Sequence, residues 1–251
     1  MLQNLLTPET LIKKIAGHIK TGIANLAPCS CLLCGDENNQ AICMDCHRQF
    51  FSATPRRCTS CALPMPDVGT RCGQCLSDMP AFHRTTVACD YIAPLDQLIL
   101  DLKFGHQLAV APVLAKLLAQ SALLAEPPLP ELIIPVPLSR NRLAERGFNQ
   151  ALEIARPFAK LINRPLYPRL LLRVRDTTAQ TLLHPVERQD NIRLAFALCD
   201  GYAAKIQGRH IGVVDDVMTT GATLHEIATC LLRQGARQVS NFVFARTPPP
   251  Q

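Results

Sequence analysis

The segment between residues 211 and 224 combines residue types that could hold a sugar phosphate. Its apolar start, residues 211–214, predicts a strand covered on both faces, and the periodic apolar residues from Leu224 onward predict a helix. Two adjacent acids and the sequence Thr-Thr-Gly-Ala-Thr lie between them. A phosphate at such a helix start would meet free amide N–H groups and the positive end of the helix dipole. We therefore predict that an anion binds between the strand and the helix.

The residues of this segment suit both parts of a ribose 5-phosphate. Those predicted to surround the phosphate are Thr219, Thr220, Gly221, Ala222 and Thr223. Asp215 and Asp216 would repel a phosphate, so we expect them to accept hydrogen bonds from ribose hydroxyls, directly or beside Mg²⁺. The alternative is that the acids only end a strand and that a threonine only caps a helix. The sequence contains neither a Gly-Lys-Ser/Thr loop nor a Gly-x-Gly-x-x-Gly loop, which excludes the commonest other phosphate loops.

The cysteines indicate metal binding, because they crowd into one part of the chain. Nine of the 12 Cys fall within residues 29–75, and eight of these form four Cys-x-x-Cys pairs. The predicted ligands are Cys31, Cys34, Cys43, Cys46, Cys58, Cys61, Cys72 and Cys75. The pairs suit two tetrahedral zinc sites whose ligands are all sulfur, which leaves no open position and makes the zinc structural. The spacing leaves open whether the pairs bind sequentially or cross over, and whether Cys29 or His47 replaces a ligand.

A basic zone accounts for the charge of the chain. The formal net charge is +6, and residues 140–193 contain 11 Arg and Lys but only 5 Asp and Glu. Arg140, Arg142 and Arg146 lie in a predicted loop between a strand at residues 132–136 and a helix. Their planar guanidinium groups could each bind two pyrophosphate oxygens. The alternative is an ordinary solvated surface.

The length and composition indicate a folded protein with more than one part. Its 251 residues are 48% hydrophobic and 18% charged, which supports a substantial core. We predict an N-terminal helix in residues 1–28, a double zinc ribbon in residues 29–78 and an α/β domain in residues 82–251. Residues 170–198 have little helical periodicity and could form a mobile hood over the ligand. The first residues lack a secretory signal and no run approaches ~20 apolar residues, so we expect a cytoplasmic location.

The order of these motifs resembles the ComF family, which includes the GntX-like DNA-utilisation proteins. The segments that carry the resemblance are the cysteine block, the stretch from Tyr91 to Lys103-Phe104, the run Arg146-Gly-Phe-Asn-Gln150, the residues Gln180, Arg188 and Asn191, and Val213-Val214-Asp215-Asp216 with its threonine-rich loop. The last segment resembles the signature of type I phosphoribosyltransferases, in which paired acids and such a loop hold 5-phosphoribosyl 1-pyrophosphate (PRPP).

The resemblance implies a fold, ligands and partners. The implied fold is a type I phosphoribosyltransferase domain, a mostly parallel sheet flanked by helices, preceded by a small N-terminal double zinc ribbon. PRPP with Mg²⁺ would bind at the acids and the loop, and the three arginines would approach its pyrophosphate. The implied biology is the uptake or use of external single-stranded DNA, with that DNA and the uptake machinery as partners. No catalytic base follows, since Glu145, His184 and Asp216 are all candidates.

Two other functions fit the same residues. One is a nucleobase-salvage phosphoribosyltransferase whose zinc ribbons are structural, and the other is a non-catalytic adaptor for nucleic acid or for the uptake machinery. Residues 1–80 contain seven Lys and Arg against six Asp and Glu, so the ribbons are poorly suited to binding DNA alone. Any DNA contact is therefore expected in the basic zone at residues 140–193.

Overall fold

The structure, a computed structural model, describes residues 29–52, 55–66, 69–125, 128–174 and 195–248. The chain forms two compact units, Met1–Ala53 and Thr54–Gln251. The division falls inside the predicted ribbon domain, residues 29–78, and places its second group of cysteines with the α/β part. The predicted helix in residues 1–28 and the middle of the predicted hood, residues 175–194, lie outside the described residues.

The described part of the small unit consists of a short hairpin and one helix. Strand β1 (Cys29–Ser30) pairs antiparallel with β2 (Glu37–Asn38), and α1 (Met44–Phe51) follows. Ile42 is the one large aliphatic side chain buried among its described residues. So little apolar burial would not hold residues 29–52 together by itself, which is why we expect a metal to do so.

The large unit is built on a four-stranded parallel sheet. In chain order its elements are α2 (Gly73–Ser77), β3 (Arg84–Asp90), α3 (Leu95–Lys103), a 3₁₀ turn (Leu108–Val110), α4 (Ala111–Leu124), β4 (Leu132–Pro135), α5 (Arg140–Arg146), α6 (Gln150–Leu161), β5 (Leu171–Arg173), β6 (Phe196–Leu198), α7 (Ala203–Ile206), β7 (His210–Met218), α8 (Ala222–Arg233) and β8 (Gln238–Arg246). The strands are ordered β3-β8-β7-β4, with every neighbouring pair parallel, which confirms the predicted sheet. Their carboxyl ends therefore share one edge, where α/β proteins bind ligands.

Helices cover both faces of this sheet, which explains why its central strands are apolar along most of their length. Phe242 and Val243 are neighbours in β8 and point to opposite faces. On one face the ring of Phe242 lies 5.1 Å from the ring of Phe158 in α6. On the other face Val243 joins a buried cluster with Leu224 and Ile227 of α8. Three cysteines of the second group lie in the same cluster: Cys58, Cys61 and Cys75.

Two features differ from the sequence-based expectation. The strand predicted at residues 211–214 extends to Met218, so both acids lie within β7. The arginines expected in a loop form the short helix α5, which Ser139 caps by accepting a hydrogen bond from the Arg142 amide. Helix formation is easy here because Arg, Leu, Ala and Glu all have high helix propensity.

The two ends of the predicted hood form a small ribbon, in which β5 pairs antiparallel with β6. None of the helices in the described ranges has the length and apolar character that crossing a membrane requires.

Candidate functional site

The eight predicted cysteine ligands form two groups of four that follow the order of the sequence. The first group is Cys31, Cys34, Cys43 and Cys46, and the second is Cys58, Cys61, Cys72 and Cys75; in each, the Sγ atoms all lie within 4.8 Å of one another. The Sγ atoms of Cys34 and Cys43 are 3.7 Å apart, and those of Cys61 and Cys72 are 3.5 Å apart. Tetrahedral zinc with Zn–S bonds of about 2.3 Å requires sulfurs about 3.8 Å apart. Both groups therefore fit zinc, and the pairs do not cross over.

Backbone amides point at the sulfurs and favour their ionised form. Burial would raise the pKa of the Cys31 thiol, but amide donors, of which Cys43 is the strongest, lower it to about 6. Burial would likewise raise the pKa of Cys58, and the amides of Cys61 and Cys72 lower it to about 7. Since the thiolate is the form that binds metal, each group starts with one thiol prepared for it.

Asp215 and Asp216 lie side by side near the end of β7 and point to opposite faces of the sheet. Each carboxylate accepts a hydrogen bond from the next backbone amide, at 2.9 Å from Asp216 N and 2.8 Å from Val217 N. Asp216 is 8% exposed, and its Oδ2 lies 2.8 Å from Nζ of Lys103. Burial and the charge of Asp216 raise the pKa of Asp215 well above its ordinary value. The two acids are thus unequal, because a lysine neutralises one and the other binds a proton more readily than usual.

The loop between β7 and α8, residues 219–221, presents hydroxyls and backbone to the surface. Thr219 and Thr220 are exposed, and Thr220 Oγ1 accepts a hydrogen bond from the Ala222 amide at 3.3 Å. Gly221 has a φ of +85°, a left-handed conformation that favours glycine. Thr223 lies in the first turn of α8 and is partly exposed. The first amides of a helix have no partner within it, so this end of α8 can receive an anion.

Arg246, at the end of β8, holds this loop from behind. Its side chain is 4% exposed and donates hydrogen bonds to the carbonyls of Met218 at 3.1 Å, Thr247 at 2.7 Å and Thr219. Its Nε donates to the carbonyl of Cys61 at 2.9 Å, which connects the second cysteine group to the loop. Desolvation by burial lowers the pKa of Arg246. Carbonyls turned towards this cation leave the amide N–H groups that follow them pointing away from it.

The arginine helix α5 lies at the same edge of the sheet, after β4. The chain leaves the sheet after Val136, whose amide donates a hydrogen bond to the Val214 carbonyl at 2.9 Å. Asn149 closes the segment by donating from Nδ2 to the Val136 carbonyl at 3.0 Å. Arg140 is exposed and Arg142 is partly exposed. The structure therefore brings the predicted pyrophosphate arginines to the edge that carries the acids.

A chain of contacts joins the arginine helix to Asp216. Arg146 donates to Oε1 of Gln150 at 3.2 Å and stands over the ring of Phe104, 5.5 Å from its centre. Phe104 follows Lys103, which makes the ion pair with Asp216. Gln150 is 2% exposed, and its Nε2 has no hydrogen-bond partner within the described residues. A buried amide donor without a partner is costly, so we expect a bound ligand or water to satisfy it.

Sequence reasoning missed two residues of this site. The sequence pointed to Lys103 only as part of a family segment and indicated no role for Arg246. No local spacing could have revealed either, since Asp216 lies 113 residues from Lys103 and Cys61 lies 185 residues from Arg246 in the chain. Of the candidate bases, Asp216 is occupied by Lys103, Glu145 is exposed on α5, and His184 lies outside the described residues.

Solved structures with partial similarity include glutamine PRPP amidotransferase from B. subtilis, 20% identical, with a TM-score of 0.34 over 52% of this chain and 25% of that chain. Hypoxanthine phosphoribosyl transferase from Trypanosoma cruzi is 15% identical, with a TM-score of 0.32 over 53% of this chain and 60% of that chain. TM-scores this low carry no functional weight. No protein-family model matches the chain.

Curated relatives match far more of the chain. DNA utilization protein YhgH of Salmonella typhi is 37% identical over 211 residues, which is 82% of this chain and 89% of that protein. Competence protein F of Haemophilus influenzae is 32% identical over 209 residues, 82% of this chain and 90% of that protein. Competence protein ComFC of Bacillus subtilis is 26% identical over 238 residues, 86% of this chain and 95% of that protein. At this identity and coverage the chain belongs to the ComF family. The parallel sheet flanked by helices and the two groups of four cysteines agree with the architecture predicted from its sequence.

Proposed function

We propose that this protein binds PRPP or a related ribose phosphate at the carboxyl edge of its sheet and supports the uptake or use of external single-stranded DNA. The observation that carries the proposal is the placement of two adjacent acids at the end of a central strand, one short loop before a helix start. The acids repel phosphate and suit hydroxyls, whereas the helix start suits phosphate. A ribose 5-phosphate group carries both hydroxyls and a phosphate.

Each part of the ligand has a matching group. The terminal phosphate would lie at the first amides of α8 with the hydroxyls of Thr219, Thr220 and Thr223 around it. The ribose hydroxyls would donate to Asp215, which is partly exposed, or to Asp216, whose carboxylate also binds Lys103. A pyrophosphate at the other end of the sugar would extend towards α5, where Arg140 and Arg142 are accessible and Arg146 already has two partners.

Magnesium is the metal that a diphosphate would bring to this site. Carboxylate oxygens are ligands that Mg²⁺ accepts, and it keeps several of its waters, so the acids and the ligand phosphates together fit it. Asp216 is already neutralised by Lys103, which leaves Asp215 as the acid that could hold the metal or its waters. Bound there, Mg²⁺ would offset the charge of the diphosphate.

The relatives named for DNA utilization and competence support the second half of the proposal. The excess positive charge lies in residues 140–193, which include α5 at the rim of the site. Phosphates of a single strand could therefore contact the same rim that receives the pyrophosphate. Contacts of this kind release counterions, so their strength should fall with salt.

Calorimetric titration of the zinc-loaded protein with PRPP and Mg²⁺ tests the ligand site. We expect one binding event per chain. Replacing Asp215→Asn together with Asp216→Asn should weaken it by at least about tenfold, since both hydroxyl acceptors lose their charge. The control removes the same charge from two exposed acids to which the proposal gives no role, Asp45→Asn with Asp200→Asn. Absence of binding, or equal affinity in both double variants, contradicts the proposal.

Fluorescence anisotropy with a labelled oligothymidine tests the DNA half. Arg140→Ala with Arg142→Ala should weaken binding and lower the slope of log affinity against log salt by about 0.7 for each DNA phosphate that an arginine neutralises. Arg48→Ala with Lys205→Ala removes two exposed cations outside residues 140–193 of the sequence and serves as the control. If the two double variants have the same slope, the DNA does not contact α5.

A further inference from the structure

The second cysteine group is linked to the proposed phosphate loop through one side chain, whereas the first group belongs to the other compact unit. The connection runs through Arg246, whose guanidinium binds the carbonyl of Cys61 on one side and the carbonyls of Met218 and Thr219 on the other. Strand register reinforces this arrangement, because Arg246 lies opposite Met218 in the β7–β8 pair. A single buried side chain therefore links a metal-ligand backbone to the loop.

Two further contacts join the same chain segment to the start of α8. The Ala81 amide donates to Nδ1 of His225, in the first turn of the helix, at 3.2 Å. The buried ring of Phe82 would lie 3.8 Å from a Cβ placed on Gly221, so it packs directly against the loop glycine. The segment that leaves the last cysteine pair thus forms the wall behind the loop.

The cysteine knuckle is itself fixed to the sheet. Arg57 donates to the carbonyl of Ala62 at 3.0 Å and forms an ion pair with Asp90, at 2.7 Å, at the end of β3. Ala62 has a φ of +58°, a conformation that costs energy for alanine and needs its surroundings to hold it. Four thiolates around a zinc ion would supply both that restraint and a net charge of about −2 beside the buried Arg246 cation.

We propose that zinc in the second cysteine group sets the conformation of residues 219–221 through Arg246, so that loss of this zinc weakens binding of the sugar phosphate. The expected loss of sugar-phosphate binding rests on the proposed ligand site. The expected change in the conformation of residues 219–221 does not. Arg246 acts as a positioning residue, because it holds the loop carbonyls and leaves the loop amides facing the anion. The cysteine carbonyl that Arg246 binds belongs to the second group, at Cys61.

The chain offers a matched pair of variants for the test. Cys43 and Cys72 are each the third ligand of their group, each is partly exposed, and each lies at the N-cap of a helix. Cys43→Ser and Cys72→Ser should each lower the zinc content from two to one per chain. Arg246→Lys supplies a third variant that keeps all cysteines and the positive charge but lacks the guanidinium fork.

Hydrogen exchange of the amides in residues 219–224, measured without ligand, gives the first readout. We expect exchange about tenfold faster in Cys72→Ser and in Arg246→Lys, and unchanged in Cys43→Ser, because the first two weaken one or more charge-assisted hydrogen bonds to the loop. Arg246→Lys should keep both zinc ions. Equal exchange in the Cys43 and Cys72 variants overturns the proposal, as does a loop that is unaffected in Arg246→Lys.

Affinity for ribose 5-phosphate with Mg²⁺ gives the second readout. It should fall about tenfold in the two variants with the loosened loop and stay unchanged in Cys43→Ser. If the wild-type protein does not bind ribose 5-phosphate, the proposed ligand site fails, while the exchange result still decides the coupling. If Cys72→Ser does not fold, both measurements are made on Arg246→Lys. Hydrogen exchange and affinity that are unaltered in Arg246→Lys contradict the coupling.

Discussion

The loop after β7 and the arginine helix α5 face the same sheet edge but are held in different ways. The loop is supported from behind by the buried Arg246, by Phe82 and by the Ala81–His225 contact. Helix α5 has no buried residue of its own. We therefore propose a division of labour, in which the fixed loop would hold the phosphate common to all ribose phosphates and the less buried helix would meet the part that varies.

The largest effect on stability is expected at Lys103, which lies between the strand before the loop and helix α5. It forms an ion pair with Asp216 of β7, and the next residue, Phe104, contacts Arg146 of α5. Lys103→Met removes the cation from a mostly buried carboxylate, Asp216, and should lower the free energy of unfolding by about 2–3 kcal/mol. Urea denaturation followed by circular dichroism measures it. The double variant Lys103→Met with Asp216→Asn should recover most of the loss. No recovery would mean that Lys103 stabilises the edge by packing and not through the ion pair.

Alanine substitutions at two glycines with a left-handed backbone conformation compare the loop with helix α5 directly. Gly221→Ala and Gly147→Ala each place alanine at positive φ, +85° and +76°, which costs about 1–2 kcal/mol. A Cβ at Gly221 would also lie 2.5 Å from Met218 Cε, whereas nothing lies within 4 Å of one at Gly147. Affinity for ribose 5-phosphate, measured by calorimetry, should therefore fall about tenfold in Gly221→Ala and stay nearly unchanged in Gly147→Ala. Equal losses would show that the loop is no more rigid than α5.

The arginines of α5 should discriminate between PRPP and ribose 5-phosphate, whereas the loop should bind the phosphate that both ligands share. Arg140→Ala with Arg142→Ala should weaken PRPP binding up to about tenfold and leave ribose 5-phosphate affinity unchanged, because only PRPP carries the pyrophosphate. Titrations with both ligands at two salt concentrations measure the difference. Equal weakening of both ligands would place the arginines at the terminal phosphate and remove the proposed division of labour.

The smallest effect concerns Asp215 and the pH dependence of stability. Its raised pKa means that the folded protein binds this proton more tightly than the unfolded chain does. Stability of the ligand-free protein should therefore fall as pH rises from about 4 towards the raised pKa. Asp215→Asn should remove this loss and be more stable than wild type at neutral pH while binding ligand less well. Thermal unfolding at pH 5 and pH 8 tests the sign, and an equal pH dependence in both proteins contradicts it.

Features with a local signature could be predicted from the sequence. The four Cys-x-x-Cys pairs gave the two metal groups, since each knuckle is specified by a few neighbouring residues. The apolar run followed by acids and Thr-Thr-Gly gave β7, the loop and α8. The sequence left open how the cysteine pairs combine, because that depends on the path of the chain between them; in the structure they combine sequentially.

Features that depend on distant contacts were not accessible in this way. The Arg246–Cys61 hydrogen bond and the Lys103–Asp216 ion pair join elements that only the folded sheet brings together. The same reason explains why the second cysteine group lies with the α/β part, since its sulfurs pack into that core and its backbone is held by Arg57 and Arg246. Spacing alone makes the two groups look alike.

A crystal structure of the zinc-loaded protein with ribose 5-phosphate and Mg²⁺ tests the central claim most directly. We expect the phosphate within hydrogen-bonding distance of the amides of residues 220–223 and the ribose hydroxyls at Asp215 or Asp216. A phosphate bound elsewhere, or a sugar that leaves both acids without a hydroxyl or a metal, would contradict it.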